Sequence, residues 1–212
     1  MEDKKGRRII SDVTADPDLS PMWDKHIAKC LPILFPKRLG KEFLEWGCSR
    51  HSLYLEYLEK HGYVGYGYDL YPQKNNPRCF QLDLRDPPFP LPPKPFLFTS
   101  ATLMYFTLPE LLLQLQYIWR AFSERAYLST PHSGLQAEVD PQAITFVDPL
   151  WLAWQCRRIG GTAIVLNFNT DQETALGPAI YWSKSSLVLD LQDLIQKLQN
   201  CLEDELFSVT LL

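Results

Sequence analysis

Apolar positions along the chain switch between a spacing of one and a spacing of three to four, and the switches mark its elements. Phe43, Leu44 and Trp46 form a short apolar run of the kind found in strands covered on both faces. Beyond Gly47, which permits a sharp turn, the period lengthens: Leu53, Tyr54, Tyr57, Leu58 and His61 share one helical face, and Gly62 offers the left-handed residue that ends the helix. Residues 63–69 return to strand. Residues 42–72 therefore predict strand, turn, helix, strand. A right-handed crossover sets both strand ends on one edge, beside the helix N-terminus.

The pattern continues downstream. Residues 79–86 read as a third strand ending at Asp83, and residues 96–102 as a fourth. Between them lie six prolines in nine residues, 87–95, a stiff run that serves as a rigid connector or as a ligand for an SH3-like partner. Thr107 with Glu110 forms a capping box that opens a helix to about Phe122, with Leu111, Leu115, Ile118 and Phe122 as its stripe. Residues 125–131 make a fifth strand, whose edge carries Thr130 and His132. The loop 133–149 has the length and polarity of a substrate cover. Asp148 caps a helix over 149–158. The turn between strands 162–168 and 178–184 is too short for a crossover helix, so these two pair antiparallel.

Two helices flank this sheet. Ser20 and Pro21 open one, with Met22, Trp23, Ile27, Cys30 and Leu31 at helical spacing and Pro32 and Pro36 ending it. Trp23 and His26 either form a lid over the sheet edge or pack on its flank. The other spans 186–206, with Leu187, Leu191, Leu194, Ile195, Leu198 and Leu202 on one face. It covers the sheet of its own chain or joins two copies, so a monomer and a homodimer both stay open. Residues 1–20 read as a mobile arm and 21–212 as a single domain.

Composition narrows the function classes. Apolar residues make up 46% and charged residues 22% of 212, with a net charge of −4. No Lys/Arg stripe signals nucleic acid; the one basic cluster, Lys4 to Arg8, reads as a solvated terminus. Five cysteines, odd in number and without a CxxC, argue against a zinc site or a disulfide framework and for the cytoplasm. No signal peptide, membrane span or metal cluster is expected.

The candidate chemistry sits at the strand ends. Free N–H groups at a helix start favour a carboxylate or phosphate. Asp69, some two dozen residues after Glu45, ends the second strand, where a carboxylate grips both ribose hydroxyls. Asp83 is placed to take the exocyclic amine of adenine. An adenosine-containing cofactor follows.

This order of elements, with Glu45-Trp46-Gly47, Asp69, Asp83 and the PFPLPPKPFLFTSAT connector into the fourth strand, resembles the class I S-adenosylmethionine-dependent methyltransferases over residues 42–184. The resemblance implies a Rossmann-like three-layer α/β sandwich. Its mostly parallel seven-stranded sheet ends in an antiparallel hairpin, with the N-terminal and C-terminal helices as additions. It implies S-adenosylmethionine as cofactor and a small molecule or exposed group as acceptor. Glu45, Gly47, Ser49 and His51 then line the methionine end. Asp69 and Leu70 hold the ribose and the adenine edge, Asp83 and Leu84 flank adenine, and Ser100 and Ala101 pass beneath the sulfonium. Tyr105 and His132 are the catalytic candidates. The loop departs from the family's glycine pattern, since Ser49 and His51 stand where glycines are usual. Two alternatives remain: a methyltransferase-like binding module without catalysis, and an NAD-dependent oxidoreductase, for which the GxGxxG motif is missing.

Overall fold

The computed structural model describes residues 4–8, 10, 29–50, 53–87, 91–129, 142–168, 178–185, 191–202 and 207–210. Its elements in chain order are β1 (Glu42–Trp46), α1 (Leu53–Lys60), β2 (Val64–Asp69), β3 (Cys79–Gln81), β4 (Lys94–Ser100), α2 (Leu108–Ala121), β5 (Phe122–Ser129), α3 (Pro149–Ile159), β6 (Thr162–Phe168), β7 (Ala179–Ser183), α4 (Leu191–Leu202) and β8 (Phe207–Thr210). The strands form one sheet in the order β3-β2-β1-β4-β5-β7-β6-β8. The first five pair parallel. β7 enters antiparallel between β5 and β6, as the short turn requires.

Side chains that alternate along the strands feed two cores, one on each face. Phe43, Phe96, Phe98, Tyr127, Ile164 and Tyr181 pack against Leu55 and Leu58 of α1, Leu194 and Leu198 of α4, and Cys30, Leu31 and Leu34 of a helical segment at 29–34. Leu44, Trp46, Leu97, Leu128, Val165 and Trp182 pack against Leu111, Leu115 and Ile118 of α2 and Leu152 and Cys156 of α3. The result is the expected three-layer α/β sandwich. α4 turns its apolar face onto its own sheet, with Leu198 fully buried. Two buried hydroxyls fix the end of this segment: Tyr181 donates to Leu34 O (2.8 Å) and Tyr63 to Phe35 O just beyond it.

The glycines of β2 let its neighbours come close, α1 among them at Gly65. A side chain at Gly65 would meet Phe43 and Leu55, and one at Gly67 would meet Cys48 and Cys79. Several boundaries differ from the sequence reading. Helical residues continue through Pro32 to 34. β3 stops at Gln81, so Asp83 stands in a turn beyond the strand. β5 begins at Phe122 with no linker after α2. The predicted 186–206 helix is described as α4, and an eighth strand, β8, pairs with the free edge of β6. Among the described residues no helix is long and apolar enough to cross a membrane.

Candidate functional site at the carboxyl edge of the sheet

The parallel strands β1 to β5 deliver their carboxyl ends to one edge, where an open α/β sheet binds its ligands. The turn after β1 is tied to β2 through its backbone: Gly47 N (2.8 Å) and Cys48 N (3.3 Å) both donate to Tyr68 O. Gly47 stands at φ 85°, and any side chain there would overlap Thr102 just past β4. Thr102 Oγ1 in turn donates to Ser100 O (3.1 Å). Two non-glycine residues on this edge hold the left-handed conformation, Ser49 at φ 54° and Ala101 at φ 51°. Such a backbone costs an ordinary residue about 1–2 kcal/mol, and its concentration at one edge is a mark of function. Ser49 thus holds a glycine-like backbone.

Asp69 completes this turn. Its Oδ2 accepts from Ser49 N (2.9 Å) and its Oδ1 from Tyr71 N (2.8 Å). A carboxylate offers about four acceptor sites, so two remain for hydroxyl donors. Leu70 is half-buried, and its carbonyl accepts from Gln81 Nε2 (3.2 Å). Glu45, near the end of β1, is buried on the α1 side. Beside it the Cys48 thiol is pushed well above its ordinary range, first by its hydrogen bond with Cys79 and then by burial.

Asp83 is differently placed. Arg85 donates to it from Nε (2.9 Å), from Nη2 (2.8 Å) and from its backbone N (3.0 Å). Arg7 Nη2 adds a contact at 3.3 Å. Burial on its own would raise the Asp83 carboxyl; the Arg85 hydrogen bonds and charge, with Arg7 behind them, more than offset this and hold it below its ordinary value. Lys5 and Arg7 both pair with Asp86, and the Lys5 bond holds that carboxyl low as well. The basic cluster expected as a solvated terminus is thus docked on this edge, because complementary acids stand beneath it.

The sequence reading missed Gln114, fully buried on α2. Its Oε1 accepts from Trp46 Nε1 (3.0 Å) and its Nε2 donates to Leu84 O (2.7 Å). One amide therefore joins the tip of β1 to the Asp83 turn. Its signal was a polar residue inside the apolar stripe of α2. Leu84 itself is buried in the core under α2. Ser100 is half-buried at the end of β4, and Ala101 N donates to Ser129 O of β5 (3.0 Å). Tyr105 is half-buried in a single 3-10 turn, Leu103–Tyr105, beyond β4. Trp23, His26, His51, Thr130 and His132 lie outside the described residues.

Comparison with family models finds no match, and no curated protein matches the sequence. Solved structures do match. A SAM-dependent methyltransferase from Archaeoglobus fulgidus superposes with a TM-score of 0.60 at 16% identity, over 76% of this chain and 94% of that one. Magnesium protoporphyrin IX methyltransferase from Synechocystis PCC 6803, with bound SAH, gives 0.61 at 14% identity, over 77% and 83%. The chain has the fold of the class I S-adenosylmethionine-dependent methyltransferases. An all-parallel dinucleotide-binding sheet does not carry β7 between β5 and β6.

Proposed function

We propose that the chain is an S-adenosylmethionine-dependent methyltransferase acting on a small molecule or an exposed group of a larger one. The observation that carries this reading is the Ser49–Asp69 hydrogen bond made by a residue in the left-handed conformation. It ties the turn after β1 to the carboxylate at the end of β2 and holds Ser49 in a backbone conformation that glycine adopts most readily. When bound, the cofactor supplies an electrophilic methyl group on a sulfonium, which passes to a nucleophile held in line. Asp69, with two acceptor sites in hand, suits the ribose hydroxyls. Gly47, Ser49 and Glu45, with His51, are assigned the methionine end, and Ser100 and Ala101 the floor beneath the sulfonium. Leu70 goes with Asp69 at the ribose and the adenine edge, and Asp83 and Leu84 are assigned the adenine end, where the residues fit once Arg7 moves. Tyr105 and His132 are assigned to the acceptor, with general-base work as the role to test. Trp23 and His26 are assigned to the acceptor side as a cover. The cytosolic location belongs to the same proposal.

Calorimetric titration with S-adenosylmethionine and S-adenosylhomocysteine tests it. Wild type binds both, and Asp69→Ala weakens binding by about tenfold or more, the worth of a charge-assisted hydrogen bond. Absence of binding at millimolar ligand would overturn the proposal. One observation favours a second reading, a binding module without turnover: Asp83 is held by two arginines. Methyl transfer to any acceptor in a broad screen would dispose of it.

A further inference from the structure

The donors on Asp83 fill its capacity. Oδ1 accepts from Arg85 N and Nε, and Oδ2 from Arg85 Nη2 and Arg7 Nη2. With about four lone-pair sites on a carboxylate, none is left for an adenine amine. Three of these donors belong to Arg85, whose side chain is only 8% exposed and whose Nη1 also donates to Arg8 O (2.8 Å). The fourth and longest comes from Arg7, remote in sequence on the N-terminal segment. Arg7 is the donor that can leave.

The rest of that segment follows the same edge. Gly6, at φ 72°, bends it so that Lys5 (2.5 Å) and Arg7 (2.7 Å) both meet Asp86. Arg8 Nη2 donates to Tyr105 O beyond β4 (3.1 Å), and Tyr71 Oη, just beyond β2, donates to Ile10 O (2.9 Å). These contacts touch the tips that follow β2, β3 and β4, where the proposed function seats the adenosine. Lys5 and Asp86 are exposed by 61% and 43%, and pairs of that kind are worth no more than about 1 kcal/mol each and are screened by salt. Arg7 and Asp83 are half-buried, with 22% and 25% of their side-chain surface exposed, and hydrogen bonds and ion pairs hold the segment here, so it can open.

We propose that residues 4–8, with Ile10, form an autoinhibitory strap over the adenine end of the cofactor site. Arg7 and Lys5 seat it on Asp83 and Asp86, and a nucleoside cofactor binds only after Arg7 leaves. This rests on the methyltransferase reading. Binding and release of the strap are separable from the chemistry, so the test needs no acceptor.

S-adenosylhomocysteine, which has no net charge at neutral pH, is titrated into wild type and into Lys5→Ala/Arg7→Ala at about 50 and about 300 mM KCl. Hydrogen exchange of the N-terminal peptide is followed with and without ligand. At low salt the variant binds about 3- to 10-fold tighter than wild type. Salt tightens wild type and leaves the variant unchanged, and the ligand speeds exchange at Arg7 and Arg8. Equal or weaker binding by the variant, or slower exchange on adding ligand, overturns the strap while leaving the cofactor reading intact. No binding by either protein overturns the cofactor reading, and the strap with it.

Discussion

Replacing Gln114 by methionine tests how the Asp83 turn is held to the sheet. The side chain is fully buried, and methionine nearly preserves its volume, so little cavity forms. What is lost is chemistry. The Trp46 indole N–H and the Leu84 carbonyl, both in buried residues, lose their partner together. Each buried group left unsatisfied costs about 1–3 kcal/mol, and removing the glutamine amide recovers part of that, so the net loss is about 2–4 kcal/mol. Against a typical total of about 5–15 kcal/mol this is a large fraction. Urea unfolding reads it as a lower midpoint at unchanged slope. The loss is also local: the Asp86 amide, which donates to Asp83 O (2.9 Å), exchanges faster in the variant. A Gln114→Met protein within about 0.5 kcal/mol of wild type, with unchanged exchange at Asp86, would refute the clamp.

Three further outcomes follow from the same geometry. At Ser49, held at φ 54°, stability should rank glycine at or above serine and serine above valine, with about 1–2 kcal/mol between glycine and valine in urea unfolding; valine at the top would mean that the left-handed backbone is not kept. Asp148 accepts from Leu150 N (2.8 Å) and Trp151 N (3.0 Å) at the start of α3, so Asp148→Ala should cost about 1 kcal/mol and lower the thermal midpoint by a few degrees. Acid should destabilise the protein through Asp83 and Asp86, whose folded carboxyls sit below their ordinary 3.8: the stabilisation they give is complete above about pH 4 and is lost as pH falls through the lower folded values. Urea midpoints of wild type should therefore drop more steeply below about pH 4 than those of Asp83→Asn/Asp86→Asn, and parallel curves would contradict the assignment.

The parts of the fold that depend on local periodicity were legible. The stripe of α2 and the Thr107–Glu110 box give its start, where Thr107 N does donate to Glu110 Oε2 (2.8 Å). The short turn between β6 and β7 dictates their antiparallel pairing, and the strand-end acids locate the carboxyl edge. Boundaries without punctuation were not legible: no Gly or Pro separates α2 from β5, so Phe122 closes one pattern and opens the next. β8 is four residues long and owes its form to the edge of β6, a partner that sequence alone does not reveal. The same limit applies at the site. Asp83 was found by its position, but its occupation was not: Arg85 reaches back to it from two residues on, and Arg7 comes from 76 residues away through a tertiary contact. At Ser49 the letter suggested a broken loop, whereas the backbone follows the tie to Asp69 rather than the side chain's preference.

The edge formed by the tips of β1, β2 and β4 is the proposed seat of an S-adenosyl cofactor. Amide-detected NMR titration of the full chain with S-adenosylhomocysteine addresses it residue by residue. The expected shifts concentrate at Gly47, Cys48 and Ser49, at Asp69 to Tyr71, at Asp83 to Arg85 and at Ala101 and Thr102, and they saturate with the ligand. A spectrum unmoved at millimolar ligand, or shifts gathered on the faces of α2 and α3 instead, would contradict it.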